Sequence, residues 1–377
     1  MASPYWPAGS AVTIAPDFER VRLALKAQEP DRVPLVDLFH DLAVKEAFLG
    51  RPIRGAKDDI AFHIHAGYDY YTFGFQYEEI INAYSGIGMP SSGPASPLYG
   101  LSGPRHWLPE RGGRVATREA FEAFPWPEPG RSRVLAMANV FDNVTAGEAV
   151  RQTQAHLPAS MALIVQTDGI FERFTKLMGL ETFCYLLADD PALVAEMFKV
   201  GGQLAVGLFE TMARQPRVGA FWLADDLAFA SGPLFSPAIM RRHLFPWYRK
   251  VVEIAHGAGC PILFHSDGNL LPILDDLIDI GFDALQPIEP KAMDIEALKT
   301  RYGDRLCLVG NLDLGSTLTL GTPDDVRREV WERIRAVAPG GGYCVGSSNS
   351  VTNYVPLENF RAMVEATFAY GHYPIQA

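Results

Sequence analysis

Residues 261–286 read PILFHSDGNLLPILDDLIDIGFDALQ and contain one full unit of the pattern that governs the chain. Two short apolar runs, 261–265 and 282–286, flank a longer stretch whose apolar residues recur with helical spacing. Such short apolar runs are typical of strands buried on both faces, as in parallel sheets covered by helices. The unit therefore predicts a strand, a helix and a second strand in succession.

The same alternation recurs along the chain and gives eight apolar runs. They lie at 33–39, 68–74, 161–167, 219–224, 261–265, 282–286, 305–310 and 342–346. Eight strand–helix units predict an α/β fold of the (β/α)8 TIM barrel type, with an outer ring of helices. An open doubly wound sheet is the alternative. We expect one domain over residues 1–377.

An insertion is predicted between the second and third strands, at about residues 75–160. Part of it, GIGMPSSGPASPLYGLSGPRHW at 86–107, is rich in Gly, Pro and Ser. Because structureless loops of this length are uncommon in compact domains, we expect an ordered excursion with a short hairpin over one barrel mouth. A surface insertion without function is the alternative.

Composition excludes several classes of protein. The 377 residues are 48% hydrophobic and 20% charged, which is ordinary for a soluble globular chain. The formal net charge of −11 argues against nucleic acid as a partner. The sequence shows no polybasic run, transmembrane segment or signal peptide, so we expect no membrane partner. The four cysteines lack a CxxC motif and fit reduced thiols in a cytoplasmic protein.

Polar side chains follow nearly every apolar run. Because the loops after barrel strands converge on one face, these side chains are the candidate site residues. The candidates for substrate binding are Asp168, Asp225, Asn311, Ser348 and Asn349. So many carboxylates at strand ends would repel each other without a cation, a proton or a cationic ligand among them.

His265-Ser266-Asp267 is the sharpest local feature. The period of two in a strand points the side chains of His265 and Asp267 to one side. Imidazole and carboxylate suit a divalent metal such as zinc, with Glu289 as a plausible third ligand. The same pair could act as an acid/base with an orienting carboxylate, or the two residues could simply cap a strand and a helix.

Two further acidic features have open interpretations. Of the adjacent Asp225 and Asp226, one could be a helix cap or a salt-bridge partner, and one could bind a cationic or NH-bearing substrate group. We take Asp226 as a catalytic candidate together with His265 and Asp267. Asp168 precedes a helix that carries Glu172 and Arg173. An ion pair of either acid with Arg173 is the simpler interpretation, and Arg173 could instead clamp a substrate carboxylate.

Four segments resemble the uroporphyrinogen decarboxylase superfamily. They are residues 221–269 (FWLADD through HSDGN), GFDALQPIEP at 281–290, RYGDRLCLVGNLD at 301–313 and the stretch GGYCVGSSNSVTNYVPLENFRAMVEA at 341–366. The resemblance implies an (α/β)8 barrel, in agreement with the eight runs. It also implies one of two chemistries: cofactor-free decarboxylation of tetrapyrrole acetates, or zinc-dependent methyl transfer to or from a corrinoid protein.

The chain departs from both branches of this superfamily. The decarboxylases carry an arginine-rich first motif and a histidine after the last strand, where this chain has VDLFHDLAVKE and Ser348-Asn349. The methyltransferases carry H-x-C and a second cysteine, where this chain has His265-x-Asp267 and Asn349. Glu289 falls where that group has an acidic residue. A harder His/Asp/Glu site suits an oxygen or nitrogen centre better than a thiol.

Three functions remain open from the sequence. The leading hypothesis is metal-assisted methyl transfer between a small methylated substrate and a corrinoid on a partner protein, with zinc bound by His265, Asp267 and Glu289. The second is a metal-free decarboxylase or lyase that acts on a tetrapyrrole or smaller acid through Asp226 and His265. The third is a non-catalytic tetrapyrrole or corrinoid binder. The resemblance also makes a homodimer plausible.

Overall fold

The computed structural model describes residues 5–7, 9–85, 113–137, 140–141 and 143–376. The described strands are β1 (Tyr70–Tyr77), β2 (Val134–Met137), β3 (Ala162–Asp168), β4 (Val218–Ala224), β5 (Ala228–Phe229), β6 (Gly232–Pro233), β7 (Ile262–His265), β8 (Ala284–Gln286), β9 (Cys307–Val309) and β10 (Tyr343–Cys344). One sheet has the order β10-β9-β8-β7-β4-β3-β1-β2, and β5 pairs with β6 in a small hairpin.

Helices connect these strands and cover the sheet. They are α1 (Phe18–Leu25), α2 (Leu42–Leu49), α3 (Ala56–His65), α4 (Glu78–Ser85), α5 (Arg118–Ala123), α6 (Ala146–Gln154), α7 (Ile170–Met178), α8 (Leu180–Asp189), α9 (Pro191–Ala213), α10 (Pro237–Ile239), α11 (Phe245–Gly257), α12 (Leu271–Ile280), α13 (Ile295–Tyr302), α14 (Pro323–Val337) and α15 (Leu357–Tyr370), with π-helical turns at Met240–Leu244 and Leu314–Thr319.

The α/β architecture expected from the sequence is confirmed. Seven of the eight apolar runs are parallel strands, and their order in the sheet follows their order in the chain. The first run, 33–39, forms isolated bridges instead of a regular strand. Val36 N donates to Val345 O at 2.8 Å and Val345 N donates to Pro34 O at 3.0 Å, so this segment lies parallel to β10.

The aromatic second run belongs to the core. All eight residues of β1 are buried, and the strand starts two residues later and ends three residues later than the apolar run indicated. Beyond it, β2 pairs antiparallel with β1, with Gly74 opposite Met137 and Tyr77 opposite Val134. The strand β2 and helices α4, α5 and α6 belong to the insertion expected at about 75–160. Its Gly- and Pro-rich part at 86–107 lies outside the described residues.

Helix α9 is long and apolar enough to cross a membrane by length and composition alone. Its most apolar window has a mean hydropathy of 1.4, and 61% of that window is buried in the protein. A mostly buried apolar helix is what a core helix of a barrel looks like. Four of its buried side chains, Leu193, Met197, Leu204 and Leu208, are at most 1% exposed.

Side chains join the two ends of this array, where the first segment meets β1. No backbone ladder is described between them, and we call this boundary the seam. Asp69, just before β1, accepts from Arg32 at 2.8 Å and from Arg20 at 2.9 Å. The Tyr68 hydroxyl, also just before β1, donates to Asp37 Oδ2 of the first segment at 2.7 Å. Buried polar contacts therefore join the two sides of the seam.

We expect Asp69→Asn to lower the free energy of unfolding by about 3–5 kcal/mol, because it leaves the buried guanidinium of Arg32 without its carboxylate and removes one of the two carboxylates that bind Arg20, the other being Asp31. Urea denaturation measures the loss. The control Asp324→Asn removes an exposed partner of Arg327 and should leave stability nearly unchanged. Equal stability of the two variants would contradict this account of the seam.

Candidate metal centre

The register of the sheet sets the frame of the candidate site. Asp168 at the end of β3 lies beside Ala224 of β4, Ala224 lies beside His265 of β7, and His265 lies beside Gln286 of β8. Laterally adjacent residues of parallel strands point to the same face, so these four positions form one row. The loops that follow the four strands therefore meet at the same rim.

Three side chains at this rim form a group that could hold a metal ion, and we call this group the metal-ligand cluster. The ligand atoms of Asp226, His265 and Asp267 all lie within 4.8 Å of one another. His265 Nε2 is 3.6 Å from Asp226 Oδ1, and the backbone N–H of Asp267 donates to the same oxygen at 3.0 Å. The side chains of His265 and Asp267 lie close together, as the H-x-D spacing suggested, although β7 ends at His265 and Asp267 belongs to the loop that follows.

The hydrogen bonds of His265 determine which ring nitrogen is available. Gln286 Nε2 donates to the carbonyl of Asn349 at 2.8 Å, which turns the Gln286 Oε1 atom toward His265. His265 Nδ1 lies 2.5 Å from Oε1, and because an amide oxygen only accepts, Nδ1 must carry the hydrogen. The lone pair of His265 is therefore on Nε2, on the side of Asp226, which is the tautomer a metal ligand needs.

The side chain of Asn349 is hydrogen-bonded to the carboxylate of Asp267. Its Nδ2 atom donates to both carboxylate oxygens of Asp267, at 2.8 and 3.1 Å, and its Oδ1 accepts from the Ser350 hydroxyl. Asn349, expected as a substrate-binding residue, thus touches a member of the cluster and also fixes Gln286 through its carbonyl.

The electrostatics of the cluster favour a cation. Burial, together with the neighbouring carboxylates of Asp226 and Glu289, raises the pKa of Asp267 to about 7, against the opposing effects of His265 and Asn349. Like charges this close are costly unless a proton or a cation lies between them. A borderline divalent ion such as zinc matches one imidazole and two carboxylates, so the residues present fit a metal.

Glu289 lies beside this cluster. Its Oε2 atom accepts from the backbone N–H of Gly268 at 2.7 Å. Among the described residues, the third member of the metal-ligand cluster is therefore Asp226, whereas the sequence suggested Glu289 as the third ligand.

Asp225 and Asp226 have different environments although they are adjacent. Asp225 is fully buried and accepts from the backbone N–H groups of Ile170, Phe171 and Glu172, at 2.8, 3.1 and 2.7 Å, and from the Tyr248 hydroxyl. Burial raises its pKa to about 6, against the pull of these four donors. Asp225 therefore caps the N-terminus of helix α7. The sequence left open which of Asp225 and Asp226 could be a helix cap, and it is Asp225.

Asp168 pairs with a lysine instead of Arg173. Its Oδ1 accepts from Lys176 Nζ at 2.9 Å and its Oδ2 accepts from the Tyr84 hydroxyl at 2.9 Å. Burial works against ionisation of Asp168, but Lys176 holds its pKa below the usual value. Arg173 is buried and its guanidinium donates to the backbone carbonyls of Gly201 and Asp168.

The sequence interpretation overlooked Lys176 and expected Asp168 or Glu172 to pair with Arg173. Lys176 Nζ also lies 2.9 Å from Glu172 Oε1. Burial raises the pKa of Glu172 to about 8, with Lys176 opposing and the Asp226 and Asp168 carboxylates reinforcing this effect. The i, i+4 spacing of Glu172 and Lys176 on one helix was the available signal.

Two remaining candidates bind the backbone of neighbouring loops. Asn311 Nδ2 donates to the Ile288 carbonyl at 2.9 Å, and its buried Oδ1 has no hydrogen-bond partner among the described residues. The Ser348 hydroxyl accepts from Leu314 N at 3.0 Å. Both residues therefore shape the loops after β8, β9 and β10.

Comparisons with known proteins agree with this architecture. The match to methylcobamide:CoM methyltransferase MtaA of Methanosarcina barkeri is 24% identical over 223 residues, 59% of this chain and 62% of that protein. The match to the uroporphyrinogen decarboxylase of Anaeromyxobacter dehalogenans is 24% identical over 273 residues, 70% of this chain and 71% of that one. These relatives are enzymes of two kinds, and the chain spans under two thirds of the length of the methyltransferase.

A solved structure shows the same fold. A methyltransferase from Methanosarcina mazei superposes with a TM-score of 0.67 at 19% identity, covering 94% of this chain and 98% of that one. The family model for uroporphyrinogen decarboxylase (URO-D) matches residues 134–370, which include every strand that carries the metal-ligand cluster. The chain belongs to the uroporphyrinogen decarboxylase family.

Proposed function

We propose that this protein transfers a methyl group between a small methylated substrate and a corrinoid carried by a partner protein, with a metal ion at Asp226, His265 and Asp267. The observation that carries the proposal is the convergence of these three ligand atoms within 4.8 Å, beside an imidazole whose lone pair is on Nε2. The name of the methyltransferase relatives, which refers to a methylcobamide, supports the corrinoid as the other reactant.

The residues at the rim have two roles in this proposal: three would bind the ion, and two position those three. His265, Asp226 and Asp267 would hold the ion, Gln286 fixes the tautomer of His265, and Asn349 fixes the carboxylate of Asp267. Bound zinc would supply Lewis acidity at an oxygen or nitrogen of the substrate. The donor set contains no thiolate, and it suits these harder centres better than a sulfur centre.

Charge at the mouth favours a neutral or cationic substrate. Five carboxylates lie at or next to the cluster, and Lys176, which is within 2.9 Å of two of them, is the cation described among them. They belong to Asp168, Glu172, Asp226, Asp267 and Glu289. A polycarboxylate tetrapyrrole would be repelled here, whereas a methoxy or methylamine compound would not.

The rim offers a surface for a protein that carries the corrinoid. Exposed apolar side chains lie in the segments that follow β4, β7, β9 and β10: Phe229 of β5 (59% exposed), Leu271 at the start of α12 (48%), Leu320 (83%) and Tyr354 (47%). Apolar residues around an acidic mouth are what a docking partner would cover. The homodimer suggested by the resemblance stays a prediction.

The decarboxylase alternative has one observation in its favour. His265 Nε2 and Asp226 Oδ1 are 3.6 Å apart and could act as an acid–base pair without a metal. The relatives named uroporphyrinogen decarboxylase also support decarboxylation as the alternative reaction. The experiments below separate it from methyl transfer.

Protein purified without chelator should contain about one zinc at the cluster and should convert cob(I)alamin to methylcobalamin with a methoxyarene or methylamine donor. Absorption spectroscopy follows the cobalamin. His265→Ala should contain one zinc fewer than the wild type and should lose methyl transfer, because it removes the imidazole ligand. The matched control His256→Ala changes an exposed histidine at the other end of β7 and should keep both. Release of CO2 from a carboxylic acid by fully metal-free protein would contradict the proposal.

Gln286→Leu should weaken zinc binding about 10- to 100-fold without unfolding the protein, because it releases the ring of His265 from its fixed tautomer. Competition with a chromophoric chelator measures the affinity. Gln203→Leu, an exposed glutamine on α9, is the control. Unchanged zinc affinity in Gln286→Leu would count against a positioning role for Gln286.

Asp267→Asn should stabilise the metal-free protein at pH 8 while it abolishes tight zinc binding. The pKa of Asp267, raised to about 7 in the folded state from 3.8, means that ionisation costs stability as the pH rises through 7. Removing this charge should therefore add about 1–3 kcal/mol to the free energy of unfolding at pH 8, and less at pH 5. Urea denaturation with chelator present tests this, with exposed Asp279→Asn as control. A loss of stability at pH 8 would contradict it.

A further inference from the structure

A small cavity lies at the seam, where the first segment meets β1. It has a volume of about 20 Å³, enough for one water-sized occupant. The side chains that matter for its chemistry are His40, Lys45, Asp59, His63 and Met137. None of them belongs to the cluster at β4 and β7, and the proposed methyl transfer does not use them.

The hydrogen bonds of His63 fix its tautomer. His63 Nδ1 lies 2.9 Å from the backbone carbonyl of Asp59, and a carbonyl only accepts, so Nδ1 carries the hydrogen. His63 Nε2 therefore has a bare lone pair. It is buried and has no hydrogen-bond partner among the described residues.

The same argument applies to His40. The Tyr68 hydroxyl donates to Asp37 Oδ2 at 2.7 Å, so its oxygen must accept from His40 Nε2, which lies 2.7 Å away. The hydrogen of His40 is then on Nε2, and His40 Nδ1 is the second bare, buried nitrogen without a described partner. Burial lowers the pKa of both rings, that of His63 to about 4, so both imidazoles are neutral.

Two neutral imidazoles with free lone pairs on one cavity match the pattern of metal ligands. Metal-bound histidines donate their other N–H to a carbonyl or to a carboxylate-linked group, as His63 and His40 do. Their ring centroids are 6.0 Å apart, which two imidazoles can reach around one ion at metal–nitrogen distances of about 2.1 Å. Left without any partner, two buried acceptors would each carry a desolvation cost.

We propose that His40 Nδ1 and His63 Nε2 bind one transition-metal ion, which ties the first segment to helix α3 across the seam. Neutral nitrogen donors select zinc or copper(I) over the oxygen-seeking magnesium and calcium ions. The role is structural, because the ion joins the two parts of the barrel between which no backbone ladder is described.

Lys45 regulates the affinity of this site. Its Nζ donates to Asp59 Oδ1 at 2.6 Å and supplies a positive charge next to the cavity. The Lys45 side chain is 13% exposed and competes with a metal ion both for charge and for the Asp59 carboxylate. Lys45→Met should therefore raise metal affinity, because it removes the competing cation and frees one oxygen of Asp59.

The test is zinc titration of the full chain after chelator treatment, followed by calorimetry and thermal melting. Wild type should bind two zinc ions, His265→Ala one, and the double variant His265→Ala/His63→Leu none. Zinc should raise the melting temperature of His265→Ala by about 4 °C or more and leave that of the double variant unchanged. Magnesium should produce no shift in either.

The outcomes separate this site from the proposed function. One zinc in wild type that survives His265→Ala and is lost in His63→Leu would support the seam site and refute the metal of the proposed function. No zinc bound by His265→Ala, or zinc retained by the double variant, would overturn the seam site. If His63→Leu does not fold, Lys45→Met in the His265→Ala background decides: a tenfold gain in zinc affinity supports the site, and no gain overturns it.

Discussion

The lateral register of four parallel strands is the constraint on which the rest of the site depends. It places Asp168, Ala224, His265 and Gln286 in one row, so that the loops after β3, β4, β7 and β8 deliver their polar groups to the same rim. Carboxylates gathered in this way repel one another, and a protein keeps such a group together only with a compensating charge. Burial raises the pKa of Asp267, and this crowding by Asp226 and Glu289 adds to the effect.

The rim and the seam differ in the groups that surround their histidines. At the rim, negative charges converge beside one imidazole lone pair, and amide groups from Gln286 and Asn349 hold the ligands in place. At the seam, two neutral imidazoles converge beside a lysine–carboxylate pair. Both arrangements rest on hydrogen bonds that fix a tautomer, since the nitrogen left bare decides what each histidine can bind.

Sequence patterns predicted the fold well because parallel strands that are buried on both faces have short apolar runs as their sequence. They predicted the first segment less well, since 33–39 pairs with β10 only through isolated bridges, an arrangement set by tertiary contacts. The H-x-D spacing predicted that His265 and Asp267 lie close together, which the structure agrees with, and their role as ligands stays a prediction. The separation of Asp225 from Asp226 and the pairing of Asp168 with Lys176 depend on where helix α7 docks, which no local spacing reveals.

The proposed function requires that the acidic rim hold a metal ion through His265 Nε2. Anomalous diffraction at the zinc edge, from crystals grown with zinc, tests it most directly. The account predicts a peak about 2.1 Å from His265 Nε2 that is also bonded to the carboxylates of Asp226 and Asp267. A map with no peak at that position, and only a water hydrogen-bonded to His265 Nε2, would contradict it.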